Sequence, residues 1–311
     1  MPQSSALLAI RTEHWRWAMV NRDRWTPYAF LAVPVTLYLV WVIIPIIQTM
    51  VLSLSDWDGV SSAFNFVGLD NYRRFVSDPY FIRSLKNNIS WIVAFVFLSL
   101  PIGLAMAMLF NNSMSGSRVF KTLIYLPMTL SFVVVGQVWS WILEPKYGAL
   151  NTFLRVVGLG SLARPWLSDP RIVTYSIIAA ALWRQVSYSM ILFLAGLQNV
   201  PREQVEAALV DGANGWQRFR YVILPALWPS TVVTITVSII DSLRAFDIVH
   251  VLTRGGPFYS SSVIANYMYI QAFNNYRMGY GSAIAVVQFL ITLVFILAYL
   301  TSALRQEVDY T

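Results

Sequence analysis

Few side chains in this sequence are of a type and spacing that could do chemistry. Cysteine is absent and there are two histidines, His14 and His250, so neither a thiolate site nor a His/Cys metal cluster is expected. No G-x-x-x-x-G-K-[ST] phosphate loop occurs, so the chain is expected neither to hydrolyse ATP nor to hold its magnesium. The one His–Asp neighbourhood, His250 with Asp247, lies at the end of an apolar stretch and makes no convincing nucleophile–base set. What remains is a group of polar residues inside otherwise apolar segments. Ser238, Asp241, Ser242 and Ala245 are spaced i, i+3, i+4, i+7 and fall on one helix face. Hydroxyls both donate and accept, and a carboxylate accepts, so such a face could line a polar translocation cavity. It equally suits an internal pair, Asp241 with Arg244, that holds helices together. Arg184 is open in the same way, either meeting an anionic group on a substrate or serving the structure. Ser187 and Tyr188, further along its segment, are additional cavity candidates.

The elements that must position these residues are membrane helices. Of 311 residues, 57% are hydrophobic and 12% charged, half the charged share of an ordinary soluble domain, about 25%. The net charge of +7 fits anchoring at anionic lipid better than nucleic-acid binding, because no basic stripe interleaved with aromatics is present. Windows almost free of charge run over residues 25–55, 87–117, 122–143, 172–197, 227–249 and 282–304. Each is long enough for the roughly 20 residues that a span requires, which predicts an all-α membrane protein of about six helices. The first window is too long for the apolar core of a signal peptide, about 7–15 residues. A seventh uncharged stretch, 255–276, begins Gly255-Gly256-Pro257 and carries Ser260, Ser261, Ser262, Asn266, Gln271, Asn274 and Asn275. It is too polar to face lipid and reads as a turn followed by an interfacial or re-entrant helix. Basic residues are about as numerous on both sides of the six-span arrangement, so charge counting leaves its orientation open.

The loop between the fourth and fifth windows reads QNVPREQVEAALVDGANGWQRFRYVILPALWP. Pro201 suits a helix start, and Glu203 in the first turn complements the dipole. Residues 202–210 are good helix formers, Gly212 permits a positive φ, and Asn214 with Gln217 three residues on forms a capping-box pattern for a second short helix. A helix–turn–helix between two spans is a knob that can dock in a groove of another protein, or an amphipathic connector lying on lipid.

The spacing Glu206-Ala207-Ala208, three residues, Gly212, nine residues, then Val222-Ile223-Leu224-Pro225 resembles the EAA loop of binding-protein-dependent ABC importer permeases. Asp211, Ala213 and Phe219 match as well, and Val222 stands where Ile is usual. FVGLDNYRRFVSDPYF (66–81), Leu126-Pro127, Trp139, Tyr147-Gly148 with Asn151, and Phe246-Asp247 followed by Leu252-Thr253-Arg254-Gly255-Gly256-Pro257 are similar to the carbohydrate-uptake, maltose-permease-like subfamily. The large external domain of the maltose permease is missing.

The resemblance implies a permease fold with both termini cytoplasmic: a tail at 1–27, a transmembrane domain at 28–304 and a tail at 305–311. It implies that the loop at 201–225 is cytoplasmic and couples to an ATPase through Glu206, Ala207, Ala208, Asp211, Gly212, Ala213, Phe219, Leu224 and Pro225. The implied partners are a second permease subunit, two ATPase subunits that bind ATP and Mg, an external solute-binding protein and membrane lipid, with no nucleic acid. The implied cargo is a sugar or glycoside crossing the inner membrane. A self-contained ion-driven transporter and a non-transporting membrane scaffold are the rival readings; the first predicts internal repeats, of which there are none, and the second predicts spans without a polar face.

Overall fold

A computed structural model describes residues 26–111 and 117–309. The expected tail at 1–27, with His14, lies outside the described residues except for Thr26 and Pro27. Among the described residues there are helices and no strand, only an isolated antiparallel bridge between Ser55 and Phe66. The chain divides into two compact units, 1–52 and 53–311. The first holds α1, Thr26–Leu52, 27 residues, about 40 Å at 1.5 Å per residue. No charged residue interrupts it and none of its residues is buried.

In the second unit, α2 is Asp70–Ser77 and α3 is Pro79–Asn111. The start of α3 is set by Asp78, whose side chain accepts from the amides of Tyr80 at 2.9 Å and Phe81 at 3.2 Å, with Pro79 at the first helical position. The third window does not form one straight helix. It is α4, Ser117–Thr129, then α5, Phe132–Ile142, with a 107° bend between Phe120–Thr129 and Phe132–Ile142. The cause is local: Ser131 is extended (φ −67, ψ 153) and caps α5 by accepting from the Val134 amide, just after the last turn of a helix that contains Pro127. Helix α6 is Ala149–Val156, and α7, Val173–Gln198, forms the fourth span as expected.

The fifth window is also broken. Helix α8 is Arg202–Val210, α9 is Gly215–Ala226, and α10 is Trp228–Leu243, bent by 67° from α9. A wide π turn at Phe219–Ile223 precedes Pro225, which has no N–H to bond the carbonyl four residues back. Helix α10 ends at Leu243 rather than near 249, and α11, Asp247–Thr253, follows a short break. Helix α12, Ile264–Tyr269, runs into a π turn, and α13, Met278–Asp309, continues helical through most of the expected tail at 305–311. Among the described residues, four helices are long and apolar enough to cross a membrane, up to six if each bent pair is one span.

Helix α7 is the centre. Two buried clusters run along it, one with Trp91, Phe95, Val135 and Ile248, the other with Leu100, Ala107 and Leu227. A Cβ on Gly103 of α3 would lie 2.6 Å from Ser189 Cβ of α7, so this crossing requires glycine. Small residues at crossings replace the hydrophobic driving force that lipid removes.

The middle of the stretch at 255–276, residues 260–272, is largely packed inside the protein, while Phe258 and residues 273–276 are exposed. Ile264, Ala265, Asn266 and Tyr267 are buried, and Asn87 donates to the carbonyls of Ser260 at 2.8 Å and Ser262 at 2.7 Å. Protein partners thus satisfy the backbone of this polar stretch, which need not face lipid.

Candidate functional site

The knob forms as its residues dictate. Helix α8 covers 202–210, Pro201 immediately precedes it, and Gly212 takes φ +80 with nothing within 4 Å of the place a Cβ would occupy. Its backbone angle, and not crowding, thus reserves that position for glycine. Asn214 and Gln217 close a reciprocal capping box at 2.8 and 2.9 Å. Glu206, Ala207, Asp211, Gly212 and Pro225 are exposed, while Ala208, Ala213, Phe219 and Leu224 are half-buried. Two residues that the motif does not include stand out: Val210 is 87% exposed and Trp216 68%. Large exposed apolar groups on a capped knob suit contact with a partner protein or with lipid; the signal in the sequence was apolar type on a short polar loop. Behind the knob lies a cleft of about 630 Å³ lined by Met108, Asn111, Arg202, Glu206, Arg218 and Ile223 among others.

At mid-span the structure separates residues that the spacing placed on one face. Ser238 and Ser242 are 0% exposed and Ala245 8%. Gln185 Nε2 donates to Ser238 Oγ at 3.2 Å, and Ser242 Oγ donates to the Ile239 carbonyl at 2.8 Å. Ser187 is buried and donates to the Trp183 carbonyl at 3.2 Å. These four pack within the chain. Asp241, Arg184 and Tyr188 are half-buried, and Arg244 is exposed. The face therefore splits: the serines turn inward against α3 and α7, and Asp241 turns toward an open side.

Asp241 and Arg244 do not close a pair. Among the described residues the ion pair within 4.0 Å joins Arg73 to Asp70, at 3.1 Å. Asp241 feels the charges of both Arg184 and Arg244 but is bound to neither. Arg184 has another task. Its Nε donates to the Leu130 carbonyl at 3.1 Å, and its guanidinium lies 4.3 Å from the Phe132 ring centroid. Leu130 sits at the break between α4 and α5, where a carbonyl loses its helical partner. The break after α10 is treated likewise: Asn88 Nδ2 donates to the Ser242 carbonyl at 3.0 Å and Gln288 Nε2 to the Leu243 carbonyl at 2.8 Å. Asn88 also accepts from the Ile264 amide at 2.8 Å. Sequence reading missed Asn88 and Gln288, since a lone amide in an apolar window shows no partner.

Near the opposite end of α3 from Asn111, Asp78 Oδ2 accepts from the hydroxyls of Tyr267 and Tyr280, both at 2.6 Å. Burial alone would raise the Asp78 carboxyl, but the two hydroxyls and the Phe81 and Tyr80 amides outweigh it, so the group is held below its ordinary range. The node ties α3 to α12 and α13.

The pattern of the family described as binding-protein-dependent transport system inner membrane component matches residues 99–310. The chain belongs to this family. It is a multi-pass inner-membrane permease component of the ABC type and has the corresponding fold. A probable ABC transporter permease protein of Pyrococcus horikoshii is 39% identical, over 90% of this chain and 97% of its own. The trehalose/maltose transport system permease protein MalF of Thermococcus litoralis is 33% identical over 88% of this chain and 92% of its own. The alpha-glucoside transport system permease protein AglF of Rhizobium meliloti is 34% identical over 90% and 83%. In three dimensions, a chain from the crystal structure of a bacterial ABC transporter that imports the acidic polysaccharide alginate superposes with a TM-score of 0.79 at 23% identity, covering 93% of this permease and 98% of that chain.

Proposed function

We propose that this permease carries a sugar or glycoside across the inner membrane of a bacterial or archaeal cell, and that separate ATPase subunits, which bind ATP and Mg, drive it through the knob at 201–225. The exposed, capped knob in a chain with no phosphate loop is the observation that carries the reading. The knob faces the cytoplasm, as do both termini, and docks in an ATPase through Glu206, Ala207, Ala208, Asp211, Gly212, Ala213, Phe219, Leu224 and Pro225, with Val210 and Trp216 as apolar anchors. A second permease subunit completes the pathway and an external solute-binding protein delivers cargo, in keeping with the family's description. Relatives named for trehalose/maltose and alpha-glucosides support the cargo class. Asp241, with Arg244 near it and Arg184 held close by the Leu130 carbonyl, is the face that meets the cargo; Ser238, Ser242 and Ala245 stand behind it. ATP-driven closure of the ATPases moves the knob as a rigid body, and the spans alternate access.

The test is ATP hydrolysis stimulated by the binding protein in the assembled complex. Glu206→Ala and Trp216→Ala are each expected to reduce it roughly tenfold, the effect of losing an interface anchor. Hydrolysis and uptake unchanged in both variants would sink the coupling role.

A further inference from the structure

Beyond Asp241, the half-buried edge of α10 and α11 continues as rings. Asp241, Arg244, Phe246 and Asp247 line one shallow crevice with Phe132. One turn on, His250 stacks on Phe246 with centroids 5.0 Å apart and planes at 23°. Tyr269 of α12 meets both edge-on or tilted, at 5.0 Å from His250 and 5.4 Å from Phe246. Phe273 follows at 5.2 Å from Tyr269 and is 54% exposed. Four rings in sequence, open on one side, are not the arrangement of a closed core.

The imidazole orientation adds an independent observation. His250 Nδ1 lies 3.2 Å from Asn266 Oδ1, and Asn266 Nδ2 donates to Ser262 Oγ at 3.3 Å. With its amide nitrogen so engaged, Asn266 presents its oxygen to the histidine, so in the neutral imidazole the proton sits on Nδ1. Nε2 then carries a lone pair with no hydrogen-bond partner among the described residues, beside the rings of Phe246 and Tyr269. Aromatic faces stack on the C–H side of a pyranose, and a ring nitrogen accepts from a hydroxyl.

We propose that Phe246, His250, Tyr269 and Phe273 form an outer sugar subsite, a stacking ledge that receives the cargo before it reaches Asp241. The inference rests on the sugar reading above. The ledge takes a neutral pyranose unit: C–H faces on Phe246 and Phe273, one hydroxyl to His250 Nε2.

The chain has no cysteine, so Phe273→Cys introduces its single thiol. The complete complex, with its binding protein, is first assayed for uptake of maltose, trehalose and xylose. If none is taken up, the sugar reading fails and the ledge fails with it. If one is, that sugar is the probe. Phe273→Cys is then expected to react with a membrane-impermeant maleimide, read on this chain's band, and to be protected by saturating probe. Phe273→Ala and His250→Phe are each expected to raise the KM of uptake about fivefold with kcat kept, the first by losing an aromatic contact and the second by losing a hydrogen-bond acceptor, while His250→Gln, which retains an acceptor, is expected to raise it less than His250→Phe. Labelling unaffected by the probe together with an unchanged KM would overturn the ledge and leave the sugar reading standing. No labelling with or without probe would assign the rings to the contact with the second permease subunit, which also overturns it.

Discussion

At the residue scale, polar side chains inside the membrane domain mend backbone where helices break. Asn88 joins the Ser242 carbonyl to the Ile264 amide. Asn88→Ala leaves both groups buried and unsatisfied and is expected to cost about 2 kcal/mol, read as a lowered unfolding temperature of the purified chain; an unchanged temperature would show that water replaces the amide. Asp78 gives a prediction in pH. Its carboxyl is held below the ordinary range, so the folded state holds its proton less readily than the unfolded one. The stability from this group is complete above the unfolded value of about 3.9 and falls away as pH drops through the folded value. Unfolding temperature is therefore expected to decline below about pH 4, and Asp78→Asn to remove part of that decline while lowering the temperature at neutral pH. A wild-type acid slope retained in Asp78→Asn would assign the decline to other carboxylates.

At the element scale, helix breaks are the feature that function uses. Gly212 at φ +80 turns α8 toward α9 with open space around its Cα. A β-branched residue is disfavoured there by about 1–2 kcal/mol, whereas asparagine tolerates the left-handed region. Gly212→Val is thus expected to uncouple binding-protein stimulation from hydrolysis while Gly212→Asn retains most of it; equal loss in both would mean that the glycine is needed for contact rather than conformation. The bend after Thr129 was hidden because Pro127 and Ser131 are residues that a continuous membrane helix also tolerates. Hydropathy counts apolar length and is blind to direction, so it returned one window for that bent pair, whereas the bend after Ala226 falls where the fifth window begins.

At the scale of the whole molecule, orientation is the property that charge left open, and the coupling role proposed for the knob requires it to face the cytoplasm. The absence of cysteine makes it measurable. Val210 and Val156 are 87% and 80% exposed and fall on opposite sides of the proposed topology. In intact cells, Val156→Cys is expected to react with an impermeant maleimide and Val210→Cys only after permeabilisation; the reverse pattern would place the knob outside and remove any route to a cytoplasmic ATPase.

What the sequence determined was whatever depends on local chemistry: apolar length for the spans, the capping box at Asn214, the positive φ at Gly212, the spacing of the Glu206–Pro225 motif that marks the family. What the tertiary structure alone decided was which polar atoms meet. The spacing of Ser238, Asp241, Ser242 and Ala245 is satisfied by one helix face, yet a face is an arc of about 100° and neighbours cover it unevenly. Helices α3 and α7 took the serines, leaving Asp241 at the edge. Arg184, open in the sequence between substrate and scaffold, is claimed by the Leu130 carbonyl because α4 ends there. Partners distant in the chain are set by packing, and a linear pattern carries no record of it.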